Sequence, residues 1–207
     1  MPSSRAARPA RKPPGRYHHG DLRRALLQQA VRTIQTRGVA AVTLREVGQA
    51  LGVSRTALYR HFADKQALLA AVAGEGFRTL RTALVTAWAE GGHGADGLDR
   101  MGLAYVRFAM THPSHYRVMF SGVVRDRVDQ TLTDPDTHAF EALRDAILEE
   151  QRAGRVRADD PQQLALYVWS VVHGVAMLAL DGLLPGAPEV DAFTRFANER
   201  LRLGIQA

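Results

Sequence analysis

Residues 43–65 read TLREVGQALGVSRTALYRHFADK, and this stretch decides the fold. Thr43 and Glu46 have the spacing of a capping box, in which each side chain satisfies a backbone N–H of the other residue at a helix start. Gly52 follows the apolar residues of that helix, where a left-handed residue would end it. Ser54 is a second N-cap residue. The stretch therefore predicts two short helices joined by a tight turn.

The second predicted helix, residues 54–61, has two different faces. Its apolar residues, with Leu58 at the centre, can point inward, and the opposite face is polar, basic and aromatic. Such a pair predicts a helix-turn-helix whose second helix enters the major groove of DNA. Because any amphipathic helix pair around a glycine has this spacing, the spacing alone leaves the function open.

The run LYRHF at residues 58–62, followed by Asp64 and Lys65, resembles the TetR-type regulators, and the resemblance extends over about residues 17–77. It implies an operator in double-stranded DNA as the partner. Residues 54–56 are expected nearest the base edges, Tyr59 against sugar-phosphate, and Thr43, His61 and Lys65 on phosphates. The predicted DNA-binding residues are Thr43, Arg45, Ser54, Arg55, Thr56, Tyr59, Arg60, His61 and Lys65, with Arg16 and Tyr17 from the preceding arm.

The charge of the chain is sorted along its length. Residues 1–65 carry 13 Lys/Arg against three Asp/Glu, whereas residues 66–207 carry 14 against 18. A phosphate backbone explains such sorting, since each contacted phosphate releases counterions. Arg provides 25 of the 27 basic residues, which can also reflect a GC-rich coding bias. The uneven distribution of charge along the chain, and not the Arg content, therefore supports DNA binding.

Residues 1–18 are rich in proline and basic residues and are expected to form a disordered basic arm. The arm is either an inert solubilising tail or a DNA-binding segment in which Arg11, Lys12 and Arg16 follow the backbone or minor groove. It has no apolar core of a secretory signal, and the chain has no cysteine, which fits a cytoplasmic location.

Downstream of residue 65, apolar residues recur at helical spacing, with no strand alternation and no internal repeat. The expected fold is all-α with about nine helices: an N-terminal three-helix helix-turn-helix domain at 19–79 and a C-terminal ligand-binding and dimerisation domain at 80–207. The later helices are predicted at 64–90, 98–111, 114–120, 136–153, 161–183 and 190–203. A glycine-rich connection is expected at 91–97 and a long polar one at 121–135.

Residues 164–180, LALYVWSVVHGVAMLAL, are apolar almost all round, which predicts burial on every side. A membrane span is disfavoured because the segment falls short of about 20 residues and acidic residues flank it. Two copies of this helix and of the last one would form a four-helix homodimer interface. The predicted interface residues are Val171, Val175, Leu178, Phe193, Phe196 and Leu201.

Trp169 followed by His173-Gly174, with an upstream His112-Pro113 and Tyr116, resembles a TetR subgroup named for its Trp-His-Gly pattern. The resemblance implies a dimerising C-terminal body that often encloses a small-molecule pocket. Plain core packing is the alternative for every aromatic and Met residue of this region. The predicted ligand-binding residues are Tyr105, Phe108, Phe120, Trp169, His173 and Met177.

The sequence has no nucleophile elbow, phosphate-binding glycine loop or dinucleotide fingerprint, so catalysis is not expected. His112 and His115 are separated by Pro113, and neither a metal site nor a cofactor is expected. We therefore expect a homodimeric TetR-like transcriptional regulator, a repressor released by a small hydrophobic or amphipathic ligand. A ligand-independent regulator and a helical carrier or interaction module without specific DNA binding are the alternatives. The basic face of residues 54–61 disfavours the carrier.

Overall fold

A computed structural model describes residues 19–124, 138–184 and 186–207, and the regular structure within these ranges is helical, which confirms the predicted all-α class. The α-helices of the described chain are α1 His19–Arg37, α2 Leu44–Ala50, α3 Arg55–His61, α4 Lys65–Glu90, α5 Gly94–Thr111, α6 Pro113–Met119, α7 Ala139–Arg152, α8 Pro161–Leu180 and α9 Ala187–Ile205. Short 3₁₀ turns lie at Val39–Ala41 and Gly122–Val124.

Local side-chain chemistry sets the ends of α2 and α3 as predicted. The Thr43 hydroxyl accepts a hydrogen bond from the Glu46 N–H at 3.2 Å, and the Ser54 hydroxyl accepts one from the Ala57 N–H at 3.2 Å. Gly52 has a positive φ of 65°, the left-handed conformation that glycine adopts without strain. The capping box is only half formed, because the Glu46 carboxylate binds the Thr43 hydroxyl at 3.0 Å rather than a backbone N–H.

The glycine-rich connection after α4 is shorter than predicted. Helix α5 begins at Gly94 and so includes Gly97, which the sequence assigned to the loop. The reason is a close approach of two helices: a Cβ at position 97 would lie 2.5 Å from a ring carbon of Trp88 on α4. His93 turns the chain with a φ of 65° and is held by Glu149 through a 2.6 Å contact from its Nδ1.

The remaining helix ends differ from prediction by a few residues. Helix α8 ends at Leu180 rather than at 183, and Gly182 follows with a φ of 71°. Helix α9 is longer than predicted at both ends. The start of the predicted 136–153 helix and most of the predicted 121–135 connection lie outside the described residues.

Helix α4 joins the two halves of the molecule. Its first turns pack against α1, and the rest packs against α5, α6 and α7. The expected domain division at residues 79 and 80 falls inside this helix. Buried side chains form one hydrophobic cluster that continues from the helix-turn-helix into the C-terminal body.

Helix α8 is not buried on every side, contrary to the prediction. One stripe remains exposed on this chain, with Leu166, Tyr167, Met177 and Leu178 each 38% exposed or more. The opposite stripe packs against α5, α7 and α9. By length and composition α8 could cross a membrane, but its packing here is that of a helix in a folded helical body.

Candidate functional site

Helix α3 presents its polar face to solvent, as the sequence predicted. Leu58 is buried, whereas Arg55, Thr56, Tyr59 and Arg60 are exposed. The Arg55 guanidinium lies 5.7 Å from the centre of the Tyr59 ring, a cation–π distance. The geometry is that of a recognition helix with a rigid basic and aromatic surface.

Helix α2 contributes to the same surface. Arg45, Arg55 and Tyr59 line one groove between α2 and α3. The N-caps Thr43 and Ser54 are exposed next to this groove, at the starts of the two helices. The exposed backbone N–H groups of those first turns add positive dipole ends that suit phosphate oxygens. The structure thus brings the predicted residues of α2 and α3 to one face.

Two predicted phosphate contacts have other partners or less exposure than expected. The Lys65 ammonium donates a hydrogen bond to the Ala40 carbonyl at 2.9 Å, which joins the start of α4 to the turn after α1. Two of its three N–H donors remain for DNA. His61 is partly buried and its Nε2 is shielded from solvent. Arg16 and Tyr17 lie outside the described residues.

A cavity of about 340 Å³ lies inside the C-terminal body, and we call it the aromatic chamber. Its aromatic lining comes from α4, α5, α7, α8 and the residue after α6: Phe77, Tyr105, Phe140, Trp169 and Phe120. Aliphatic side chains line the rest, together with the amides of Gln162 and Asn198. None of the described lining residues carries a charge. A chamber of this size and composition suits an uncharged apolar molecule or the apolar part of a larger one.

A chain of hydrogen bonds lies along one wall of the aromatic chamber. Trp169 Nε1 donates to the Tyr105 hydroxyl at 2.9 Å. The Tyr105 oxygen lies 3.1 Å from the Tyr116 oxygen, and His173 Nδ1 lies 2.9 Å from the first and 2.7 Å from the second. These contacts join α5, α6 and α8.

The proton positions in this chain follow from the pKa values. Burial raises the pKa of Tyr105 to about 12 and also raises the pKa of Tyr116, so both phenols keep their protons. Burial lowers the pKa of His173, so its imidazole is neutral near pH 7 and Nδ1 can accept. Donation can then run from Trp169 through Tyr105 and Tyr116 to Nδ1 of His173.

Comparison with known proteins identifies the family. Residues 26–72 match the family described as "Bacterial regulatory proteins, tetR family", and residues 98–201 match "Tetracyclin repressor-like, C-terminal domain". The chain belongs to the TetR family. It is a DNA-binding transcriptional regulator and not an enzyme. The resemblance to the Trp-His-Gly subgroup is not confirmed.

Individual relatives agree with this assignment. The HTH-type transcriptional repressor AcnR of Corynebacterium efficiens is 28% identical over 181 residues, which span 81% of this chain and 87% of AcnR. The HTH-type transcriptional repressor Rv1474c of Mycobacterium tuberculosis is 29% identical over 174 residues, 81% of this chain and 82% of that repressor. A solved structure of a protein with unknown function from Rhodococcus sp. RHA1 is 32% identical, covers 94% of this chain and 100% of its own, and superposes with a TM-score of 0.80.

The predicted ligand residues of this TetR regulator separate into two groups. Tyr105, Phe120 and Trp169 line the aromatic chamber, and His173 supports it through the hydrogen-bond chain. The structure places the other two elsewhere. Phe108 is buried and its ring stacks on His112, and Met177 is 38% exposed on the outer stripe of α8. Neither lines the chamber.

The predicted dimer residues also separate. Leu178, Phe193 and Phe196 are between 41% and 53% exposed, and Val171 is partly exposed. Val175 and Leu201 are buried within the chain's own core, so they have almost no exposed surface for an interface. Their assignment to the interface is corrected for that reason. Near Leu201 on α9, the side chains of Arg200 and Leu203 are exposed to solvent.

Sequence reasoning missed two functional candidates of the regulator. Phe77 falls within the predicted DNA-binding domain at 19–79, yet it lines the chamber. Asn198 lies on α9 with only 6% exposure, and its Nδ2 donates to the Asp99 carbonyl at 3.0 Å. A lone polar residue at a core position of the α9 pattern was the available signal for Asn198.

Proposed function

We propose that the protein is a cytoplasmic, homodimeric repressor whose operator affinity falls when a small hydrophobic or amphipathic ligand occupies the aromatic chamber. The observation that carries this proposal is the course of α4. The helix starts at Lys65, against the helix-turn-helix, and its Phe77, Leu80 and Leu84 line the chamber. A ligand that favours one position of α4 therefore biases the position of α3.

The size of the expected effect follows from linkage. A ligand can shift the operator equilibrium only by its differential affinity for the two α4 positions. A difference of about 1–3 kcal/mol weakens operator binding about 5- to 150-fold. Such a difference is within reach because the chamber is lined by residues from five helices, so a ligand contacts several elements at once.

DNA binding is tested first with Arg55→Ala. Operator fragments are captured from genomic DNA by the purified protein, sequenced and then used in gel-shift titrations beside random DNA. If Arg55 reads a guanine bidentately, the variant loses about 1–3 kcal/mol on operator and relaxes the preference at one position per half-site. Arg78→Ala, an exposed arginine further along α4, serves as the matched charge control and should bind almost as wild type. Equal losses on operator and random DNA would assign Arg55 to phosphate alone.

The homodimer proposal is supported by exposed apolar surface on α8 and α9. The Phe193 and Phe196 rings are exposed on α9 and stack with centroids 6.2 Å apart. Helix α9 packs against α8, which has exposed apolar residues of its own. Large apolar side chains exposed together are typical of an interaction site. A TetR regulator needs two linked recognition helices to bind two half-sites at once.

Phe193→Asp tests the dimer by sedimentation. It should give monomers with little operator affinity, because the charge would be desolvated at the interface. Val85→Asp is the matched control, since Val85 is 44% exposed on α4 and away from this surface. A soluble Phe193→Asp protein that still sediments as a dimer would remove α9 from the interface.

A further inference from the structure

A second cavity, of about 260 Å³, adjoins the aromatic chamber, and we call it the C-terminal chamber. It lies between the first turns of α5, the turn between α7 and α8, and the end of α9. Leu98, Val168 and Asn198 line both cavities. The two cavities are therefore neighbours that share these three residues as a common wall.

The C-terminal chamber differs from the aromatic chamber because it contains ionised side chains. Glu150 is only 1% exposed and is paired with Arg155, whose Nη2 and Nε lie 2.6 and 2.7 Å from the two carboxylate oxygens. This pair is neutral as a unit. Asp99 is partly buried in the same chamber, and in the part of the chain that the structure describes no hydrogen bond or ion pair within 4 Å engages its carboxylate.

Burial and nearby charges act on Asp99 in opposite directions. Burial raises the pKa of Asp99, the attraction of Arg202 and Arg195 lowers it, and the repulsion of Asp96 and Glu199 raises it. Of these four charged neighbours, Arg202 alone is in the described lining of the C-terminal chamber. A partly buried carboxylate without a hydrogen-bond or ion-pair partner is stabilised by an approaching cation.

Asn198 holds the backbone of Asp99 beside the wall that the two chambers share. Its Nδ2 donates to the Asp99 carbonyl at 3.0 Å. The amide packs over Gly102, where a Cβ would lie 2.5 Å from Nδ2. Leu98, the residue before Asp99, lines both cavities. The backbone of Asp99 is therefore held next to the wall that the two chambers share, and its side chain lines the C-terminal chamber.

We propose that the two chambers together bind a lipophilic amine, with an uncharged aromatic body in the aromatic chamber and a protonated amino group against Asp99. This inference rests on the proposed effector role of the aromatic chamber and narrows the class of ligand. A carboxylate ligand would find no cation in the aromatic chamber, and in the C-terminal chamber Arg155 is already held by Glu150. Arg202 is the one competing cation in the described lining.

The test compares three probes that share one body and differ in the head group: phenylbutylamine, phenylbutanol and phenylbutanoate. The chain has two tryptophans, so a Trp88→Phe protein reports through Trp169 alone, and Trp169 lines the aromatic chamber. Titration of its emission should rank the amine about tenfold tighter than the alcohol, because only the amine gains a charge-assisted hydrogen bond. The carboxylate should bind most weakly.

Three variants identify the residue that binds the head group of the probe. Asp99→Asn should reduce amine affinity about tenfold to that of the alcohol and leave the alcohol unchanged. Asp96→Asn removes an exposed acid of the same helix turn and should keep the preference for the amine. Arg202→Gln should strengthen amine binding, because it removes the nearest competing cation. Structural damage cannot produce that gain.

Equal affinities for the three probes would overturn the head-group inference, as would phenylbutanoate binding most tightly. The same holds if Asp99→Asn and Asp96→Asn behave alike, or if none of the probes changes Trp169 emission. Operator binding is measured in parallel without any probe. A protein that binds operator but not the amine contradicts the ligand class alone, whereas loss of operator binding contradicts the proposed function.

Discussion

Removal of the Tyr105 hydroxyl is expected to destabilise the protein more than removal of the neighbouring Tyr116 hydroxyl. Tyr105 is 4% exposed and accepts the only hydrogen bond of Trp169 Nε1 within the described chain. Tyr105→Phe loses that bond and the contact to Tyr116, each worth about 0.5–1.5 kcal/mol, and leaves the partly buried indole N–H unpaired at about 1–3 kcal/mol. Because these terms overlap, we expect a loss of about 2–4 kcal/mol.

Tyr116→Phe should cost less, although Tyr116 is fully buried. Tyr105 Oη lies 2.9 Å from His173 Nδ1, so its hydroxyl can donate to the imidazole in place of Tyr116. Every remaining polar group then keeps a partner, and the expected loss is that of one hydrogen bond, about 0.5–1.5 kcal/mol.

The assay is urea unfolding followed by far-UV circular dichroism, at one fixed subunit concentration for all variants because a dimer's stability depends on concentration. Tyr59→Phe is the matched control: Tyr59 is 46% exposed, and its variant should stay within about 0.5 kcal/mol of wild type. The argument from donor satisfaction would be refuted if Tyr105→Phe cost no more than Tyr116→Phe, or no more than the surface control.

Three further outcomes are expected. Burial lowers the pKa of His173 below the ordinary 6.5. As the pH falls, the unfolded chain therefore binds a proton at this histidine before the folded chain does. The free energy of unfolding should rise with pH up to about 6.5 and level off above it. Melting temperatures at about pH 7.5 and about pH 5.5 check this, and His173→Gln should show a smaller fall on acidification. Gly97→Ala should lower the free energy of unfolding by about 1–2 kcal/mol in urea, because the new Cβ would overlap the Trp88 ring. The higher helix propensity of alanine offsets only part of this loss. A variant more stable than wild type would contradict the close approach of the two helices. Ser54→Ala should cost about 1 kcal/mol through the lost N-cap, and an unchanged urea midpoint would show that the cap is dispensable.

Short stretches of sequence were enough to predict the local structure of the DNA-binding half. Thr43 and Ser54 act on backbone N–H groups three residues away, and Gly52 acts on its own φ, so a short window of sequence contains the whole cause. The exposed face of α3 was predictable for the same reason, because its side-chain period fixes which residues share a face. The family resemblance depended on these same residues.

The packing of distant helices determines which residues form the chamber and which remain outside it. Tyr105 and Phe108 are both aromatic, both buried and both on α5, yet only Tyr105 lines the aromatic chamber. Helix α8 is apolar all round, so its sequence could not indicate that Val175 faces inward and Leu178 outward. Apolar periodicity predicts that a side chain is buried. It does not predict which residue packs on that side chain, because the packing partners come from helices far apart in the chain. The junction of Asp99 with Asn198, 99 residues apart, exists only because α5 and α9 pack together.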